Sequence, residues 1–225
     1  MTQNLNLTLA TDSINTDAKN IGVSVDCLEQ IEVCVSVDII QKPEPSLLLH
    51  FRIRLFDDTL ADQLDWPDWQ PQNVSSQDYL WERTCLECFI KGTPLNQDQT
   101  NRYIEINVSP SGHYAFYKFE SYRNPATLPP IPLLKRDTTS GHADIIWHET
   151  NMMNAINNTG TYQRKFAIPL AQLPQDIFDY QSLTIERFNL SVILYFASTP
   201  LYFAPGYLTP PDFHDQLYWL DFNNC

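Results

Sequence analysis

The amino-acid sequence predicts an all-β protein, an antiparallel β-sandwich or jelly roll. Many short runs alternate between apolar and polar residues, as half-buried strands do. Segments rich in Pro, Gly, Asn and Asp separate these runs. No long segment shows the 3.6-residue apolar period of an amphipathic helix. Short strands joined by turns, with few helix signals, are typical of two packed sheets.

The predicted strands occur along the whole chain. They cover residues 4–10, 31–40, 47–56, 79–90, 102–108, 113–120, 143–149, 161–168, 189–197 and 217–222. Turn-rich segments lie at 41–46, 65–77, 124–132 and 199–211, and residues 151–160 are predicted to form a hairpin loop. One short helical turn is expected after Ile168. No domain boundary is apparent, so residues 1–225 are expected to form a single domain.

Charge and hydropathy restrict the function classes. The chain has 14 basic and 27 acidic residues and a net charge of −13. Such a field repels a phosphate backbone and an anionic membrane surface, so neither nucleic acid nor a membrane is an expected partner. No stretch approaches the length of a membrane-spanning helix, and the N-terminus lacks the pattern of an export signal. We therefore expect a cytoplasmic protein.

The five cysteines are expected to be free thiols in a reducing compartment. Cys85 and Cys88 form a C-x-x-C pair, but on a strand their side chains point to opposite faces and cannot chelate one ion. The sequence thus predicts no metal site. It also lacks a nucleophile elbow, a phosphate-binding loop and a dinucleotide-binding fingerprint.

Residues 102–119 predict a central hairpin that turns at residues 109–112. If Ser109 pairs with Gly112, the flanking residues divide between two faces of the sheet. One face is a core of Ile104, Ile106, Val108, Ala115 and Tyr117. The other mixes aromatic and polar groups and carries Tyr103, Glu105, Asn107, Tyr114, Phe116 and Lys118. That second face is either a sugar-recognition surface or an ordinary solvated sheet face.

The strand at 47–56 shows a similar contrast. One face is entirely apolar, whereas the other carries His50, Arg52 and Arg54. Arginine provides a rigid donor fork for a carboxylate or for vicinal hydroxyls. The two arginines are therefore candidates either for ligand binding or for ion pairs with glutamates of neighbouring strands, for instance Glu87 or Glu105.

Four segments together resemble a known family. LWERTCLECFI, YIEINVSPSG, HYAFYKFESYR and PPDFH resemble the DOMON-like proteins related to family 9 carbohydrate-binding modules. They are most similar to the small bacterial subgroup often encoded near the UDP-N-acetylmuramate dehydrogenase gene. The resemblance implies an antiparallel β-sandwich of about ten or eleven strands that binds a ligand rather than catalysing a reaction. It marks Trp81, Glu87, Glu105, Asn107, Tyr117, Arg123 and His214 without assigning a role to any of them.

Related domains bind sugars or haem, but this sequence departs from both patterns. No tryptophan pair can be matched to the pair that sandwiches a sugar in the relatives. Haem-binding relatives use Met and His axial ligands, whereas Met152 and Met153 here fall in a loop-like segment. No acidic loop is spaced like a calcium site. No cofactor is therefore expected.

The leading hypothesis is a protein that binds a small polar ligand, such as a saccharide or a sugar-like cell-wall metabolite. Aromatic rings of Trp81, Tyr103, Tyr114 or Tyr117 would stack on the ligand. Its hydroxyls would be oriented by Arg52 or Arg54 and by Glu105, Asn107 and Arg123.

Two alternatives stay open. One is a protein-interaction module without a small-molecule pocket. The other is a glycoside-active enzyme that uses Glu87 and Glu105, although basic neighbours are expected to lower the pKa of both carboxyls when an acid catalyst needs a raised one. His214 is expected to bond a backbone group beside the last strand.

Overall fold

A computed structural model describes residues 2–93, 101–135, 141–148, 160–178 and 184–222. Eleven strands dominate these residues and form one curled sheet. They are β1 Gln3–Leu9, β2 Glu32–Ile40, β3 Ser46–Arg54, β4 Cys85–Gly92, β5 Tyr103–Val108, β6 Tyr114–Phe119, β7 Ile146–Trp147, β8 Thr161–Pro169, β9 Ile185–Phe196, β10 Thr199–Ala204 and β11 Leu220–Asp221. The three helices are α1 Ile14–Ile21, α2 Val25–Glu29 and α3 Asp58–Gln63.

The sheet is antiparallel at every pairing of these strands. Its order is β6-β5-β4-β9-β10-β1-β2-β3-β8-β7, and β11 pairs with β9. Strand β1 joins two halves, because its first part pairs with β2 while Thr8 and Leu9 pair with β10. The predicted all-β, antiparallel class is confirmed.

Alternating side chains of both halves bury one common core. On β3, Leu47, Leu49, Phe51 and Ile53 have no exposed surface, as the apolar face of this strand predicts. Residues of β4, β5 and β9 enter the same cluster from the other half of the sheet. Burial of this much apolar surface is the main stabilising contribution to the fold.

The helices were not predicted, because each is shorter than a recognisable periodic segment. Helix α1 buries Ile14, Ala18 and Ile21, and Gly22 ends it in a left-handed conformation with φ of 85°. Helix α3 begins after Asp57, whose carboxylate accepts a hydrogen bond from the Leu60 N–H at 3.1 Å. Such short helices depend on packing rather than on intrinsic propensity.

Several predicted strand limits were wrong. Strand β4 begins at Cys85, since Tyr79 is left-handed and a 3₁₀ turn occupies 80–82. Strand β10 lies inside a segment predicted to be turns. The predicted strands at 143–149 and 217–222 shorten to β7 and β11. The helical turn after Ile168 is confirmed at Leu170–Gln172, whereas residues 151–159 and Cys225 lie outside the described residues.

The central hairpin forms, but its register differs by one residue from the prediction. Ser109 pairs with His113 rather than with Gly112, because the Ser109 N–H donates to the His113 carbonyl at 2.8 Å. The Gly112 N–H instead closes the turn on the Ser109 carbonyl at 3.1 Å. Asn107 consequently lies opposite Ala115, and Glu105 opposite Tyr117. The extra turn residue exchanges the two faces of β6, which is the expected effect of a one-residue slip. Tyr114, Phe116 and Lys118 thus lie on the side of Ile104, and Tyr117 lies on the side of Glu105.

None of the helices in the described part of the chain has the length and apolar character needed to cross a membrane.

Candidate functional site

A cavity of about 370 Å³ lies against the half of the sheet formed by β4, β5, β6, β9 and β10. Its aromatic lining comes from Trp81, Phe89, Phe119, Tyr202 and Phe213, and its polar lining from Glu87, Glu105, Arg123 and His214. The segment 125–130 completes one wall. The volume falls within the range of small-molecule sites, which are mostly apolar with a few converging polar groups.

Strand alternation places both carboxyls on the face that points away from the common core. Glu87 lies opposite Asn107 on β5, and Glu105 lies opposite Phe89 on β4. The two glutamates are therefore diagonal neighbours on adjacent strands, a separation that polar side chains can bridge. We call the outward face around them the carboxyl face. Cys85 shares this face while Cys88 enters the common core, as expected for a C-x-x-C pair on a strand.

Each buried carboxyl has one oxygen that accepts a hydrogen bond. Ser191 Oγ donates to Glu87 Oε2 at 2.6 Å. Asn107 Nδ2 donates to Glu105 Oε1 at 2.8 Å. The other two oxygens accept no hydrogen bond from the described residues. In the case of Glu105 Oε2, the ring nitrogen Nε2 of His214 is 3.6 Å away. Both glutamates line the cavity, although only 4% of Glu87 and 6% of Glu105 is exposed.

Burial raises the pKa of Glu87 to about 8, and the neighbouring charge of Glu105 adds to this rise. Burial likewise raises the pKa of Glu105 to about 7. Arg123 opposes both increases but does not reverse them. The expectation that basic neighbours lower these pKa values was wrong, because desolvation outweighs the single nearby guanidinium. Near neutral pH the carboxyl face holds protons.

His214 lines the cavity and packs edge-on against the rings of Phe89, Tyr103 and Phe119. Its ring nitrogen Nδ1 is 2.7 Å from the hydroxyl of Tyr103, and that hydroxyl accepts from the backbone N–H of Arg123 at 3.1 Å. The other ring nitrogen, Nε2, lies 3.6 Å from Glu105 Oε2. Burial lowers the pKa of His214 to about 3, so the ring is neutral. The imidazole bonds a side chain, so the predicted backbone role was wrong.

Arg123 brings the positive charge of the lining. Its backbone is left-handed with φ of 47°, and its guanidinium donates to Asp212 at 2.9 Å. Asp212 also accepts from the Tyr122 hydroxyl. The guanidinium charge is consequently balanced by a carboxylate that does not line the cavity.

The structure brings most of the predicted site residues together. Trp81, Glu87, Glu105, Arg123 and His214 line the cavity. Tyr103 and Asn107 hold the lining through hydrogen bonds to His214 and Glu105. Tyr117 packs edge-on against Trp81 with 5.9 Å between ring centroids and donates to Asp78 at 2.8 Å.

Three predicted residues lie elsewhere. Tyr114 is on the opposite face of β6 and donates to Asp144 at 2.8 Å. Arg52 and Arg54 lie on the exposed face of β3, in the other half of the sheet. Arg54 is 3.8 Å from Glu32 and stacks on Phe56, so its ion pair is with neither Glu87 nor Glu105.

Sequence reasoning missed several residues of the carboxyl face. Phe89, Ser191 and Tyr202 share the carboxyl face because of strand register, and Phe119 joins them through the hairpin shift. Phe89 is two residues from Glu87 on β4, and residues two apart on a strand share a face, so this spacing could have identified Phe89. Ser191 has no comparable signal, because only the pairing of β4 with β9 places it beside Glu87.

Within the residues that the structure describes, no group of three or more His, Cys, Asp or Glu is arranged to hold a metal ion. Fold and site together define an antiparallel β protein with an aromatic cavity over a buried carboxyl pair. No protein-family model, curated protein or solved structure matches this chain.

Proposed function

We propose that this protein binds a small polar ligand of the saccharide class in the cavity over the carboxyl face. The observation that carries the proposal is the combination of aromatic walls with two carboxyls, each of which has one oxygen that accepts no hydrogen bond from the described residues. Sugars present apolar C–H faces and hydroxyls, so rings and paired polar groups suit both. Trp81, Phe119 and Phe213 would pack on the ligand, while Glu87 and Glu105 would orient its hydroxyls.

The proposal also covers the fold family to which the sheet belongs. We assign the curled sheet to the jelly-roll-like β-sandwich of the DOMON-like and family 9 carbohydrate-binding proteins. Its support is that five of the seven positions marked by the resemblance line one cavity. A cytoplasmic location belongs to the same proposal and is supported by the free thiols of Cys27, Cys34, Cys85 and Cys88.

A thermal-shift screen of mono- and disaccharides and muropeptide precursors tests the proposal. A ligand at 100 times its Kd adds about 2.7 kcal/mol to the free energy of unfolding, which raises the Tm by several degrees. Trp81→Ala should abolish the shift by removing one aromatic wall. Phe56→Ala should keep it, because this exposed ring follows the end of β3 and does not line the cavity. A panel without any shift would contradict saccharide binding.

A protein-interaction module is the second candidate. Leu128, Ile131 and Leu134 are 77%, 58% and 41% exposed and lie in or just after the cavity wall. Exposed apolar residues that cluster near a cavity mouth can mark a protein-binding surface. Ile131→Asp combined with Leu134→Asp would abolish capture of a protein partner while leaving a saccharide-induced Tm shift in place, because neither residue lines the cavity.

A glycoside-active enzyme is less well supported. Inverting hydrolysis needs one protonated and one ionised carboxyl on opposite sides of the bond, whereas both carboxyls here have raised pKa values. If the native protein hydrolysed any glycoside and Glu105→Gln lost that activity, the proposal of a binding protein without catalysis would be wrong.

A further inference from the structure

The cavity lining has more acidic groups than basic groups. Two carboxyls and one guanidinium line it, and the guanidinium already bonds Asp212 at 2.9 Å. His214 adds no positive charge, because its imidazole is neutral. The pKa values of the neighbouring groups Tyr103, Tyr117, Tyr202 and Cys85 are all raised, mainly by burial and further by the carboxylates, so these groups add no positive charge either. With both carboxyls ionised, the cavity therefore has a net negative charge that nothing in its lining balances.

We propose that the ligand carries a basic amino group, and that its ammonium binds the free carboxyl oxygens of Glu87 and Glu105. The inference rests on the proposed saccharide function and narrows the ligand to an amino sugar or a similar amino polyol.

The hydrogen bonds on the carboxyl face support this placement. Ser191 and Asn107 occupy one oxygen of each carboxyl, and within the described chain the second oxygen of each has no donor. Both side chains are more than nine-tenths buried and line the cavity. These oxygens face the cavity, where an N–H group of a ligand would supply the hydrogen bond that the protein does not. An ammonium has three N–H donors, enough to supply one to each of the two glutamates.

The aromatic lining supports the same ligand chemistry. Trp81, Phe89, Phe119, Tyr202 and Phe213 surround the cavity, and ring faces attract cations through their quadrupole. An anionic ligand would instead meet two acidic groups and an arginine that is already paired.

Binding of an ammonium should release protons. Below the raised pKa values, about 8 for Glu87 and about 7 for Glu105, the empty site is mostly protonated. An ammonium stabilises the ionised carboxylates and displaces at least part of a proton, whereas a neutral sugar does not. Affinity for the amine should therefore fall as the pH decreases, while affinity for a neutral sugar should stay nearly constant.

Titration calorimetry at pH 6.5 tests the inference with glucosamine, N-acetylglucosamine and glucose, in two buffers that differ in ionisation enthalpy. We expect glucosamine to bind at least tenfold more tightly than the two neutral sugars, to release protons, and to weaken about tenfold at pH 5. Glu87→Gln and Glu105→Gln should each abolish the preference for the amine. Glu82→Gln, a change at an exposed glutamate of the same segment, should preserve it.

The outcomes separate this inference from the proposed function. Equal binding of all three sugars, without proton release, would overturn the amine inference and leave saccharide binding intact. Binding of cyclohexylamine but of no sugar, sensitive to Glu105→Gln, would support the ammonium position and overturn the saccharide class. Binding of no probe at all would contradict both. Circular dichroism of each variant establishes that a lost affinity does not reflect unfolding.

Discussion

Ser191 on β9 lies directly opposite Glu87 on β4, and its hydroxyl donates a 2.6 Å hydrogen bond to the buried carboxyl. Two strands far apart in the sequence are thus joined at the floor of the cavity. This hydrogen bond lowers the pKa of Glu87, against the larger effect of burial.

Ser191→Ala should destabilise the protein and raise the pKa of Glu87 further. The carboxyl would lose its hydrogen-bond donor, which costs about 1–3 kcal/mol for a buried group. Urea denaturation measures the loss of stability, and carboxyl NMR titration measures the pKa. Ser36→Ala is the matched control, since Ser36 donates a 2.6 Å hydrogen bond to Asn4 at an exposed position. Equal losses in both variants would contradict a special role for the buried bond.

Stability should fall as the pH rises from about 4.5 towards 8. Glu87 and Glu105 have folded-state pKa values of about 8 and about 7 against an ordinary 4.5, so the folded state binds protons that the unfolded state has released. Their stabilising contribution is fully present below pH 4.5 and is lost by about pH 8. One pKa unit corresponds to about 1.4 kcal/mol, so each carboxyl costs a few kcal/mol across this range.

Glu87→Gln and Glu105→Gln should flatten this pH dependence, and both variants should be more stable than the native protein at pH 8. Glu82→Gln should leave the profile unchanged. Denaturation midpoints between pH 5 and pH 8 provide the measurement. If Glu105→Gln lost stability at pH 8 as the native protein does, the raised pKa would be refuted.

His214 should act in the opposite direction below pH 6.5. Its pKa is lowered from 6.5 to about 3, mainly by burial, so the stability that it contributes is present above pH 6.5 and is lost as the pH falls. His214→Gln should reduce the loss of stability between pH 6 and pH 4. Imidazole NMR shifts should show a ring that stays neutral at pH 5. A ring that titrates near 6.5 would contradict its burial against Phe89 and Phe119.

Tyr103→Phe should destabilise the protein by about 1–3 kcal/mol, because the hydroxyl links the Arg123 backbone to His214 inside the aromatic cluster. Tyr218→Phe, at a half-buried tyrosine whose hydroxyl has no hydrogen bond among the described residues, should change stability by less than about 0.5 kcal/mol. The comparison uses urea midpoints at pH 7. Similar effects at the two sites would show that the hydroxyl of Tyr103 does not hold the cavity lining.

Arg164→Met should destabilise the protein strongly. Its buried guanidinium donates to the carbonyls of Pro110 at 2.7 Å and Pro67 at 3.1 Å, which fixes the hairpin turn against the segment before β4. Its loss leaves these acceptors without donors, at about 1–3 kcal/mol for each buried group. Arg54→Met should cost less than about 1 kcal/mol, because the exposed pair with Glu32 is weak. Equal effects would contradict the assigned contacts.

The sequence by itself determined the antiparallel β class, most strands, the apolar face of β3 and the opposite directions of Cys85 and Cys88. These features depend on period-two alternation, which is a local property of the chain. The sequence also identified polar residues that line the cavity, namely Glu87, Glu105, Arg123 and His214. Local patterns did not predict the helices, because a two-turn helix such as α1 is stabilised by packing rather than by its own periodicity.

Only the tertiary structure decided which of these residues meet. One additional turn residue moved Tyr114 to the core side and brought Tyr117 and Phe119 to the carboxyl face, and no local signal distinguishes the two registers. The pairing of β4 with β9 supplied Ser191, and the segment 125–130 closed the cavity. Closure removes water from Glu87 and Glu105, and this desolvation raises the pKa values that the charges in the sequence were expected to lower. The local sequence pattern was sufficient to identify Glu87 and Glu105 as candidate site residues, whereas their removal from water depended on the whole fold.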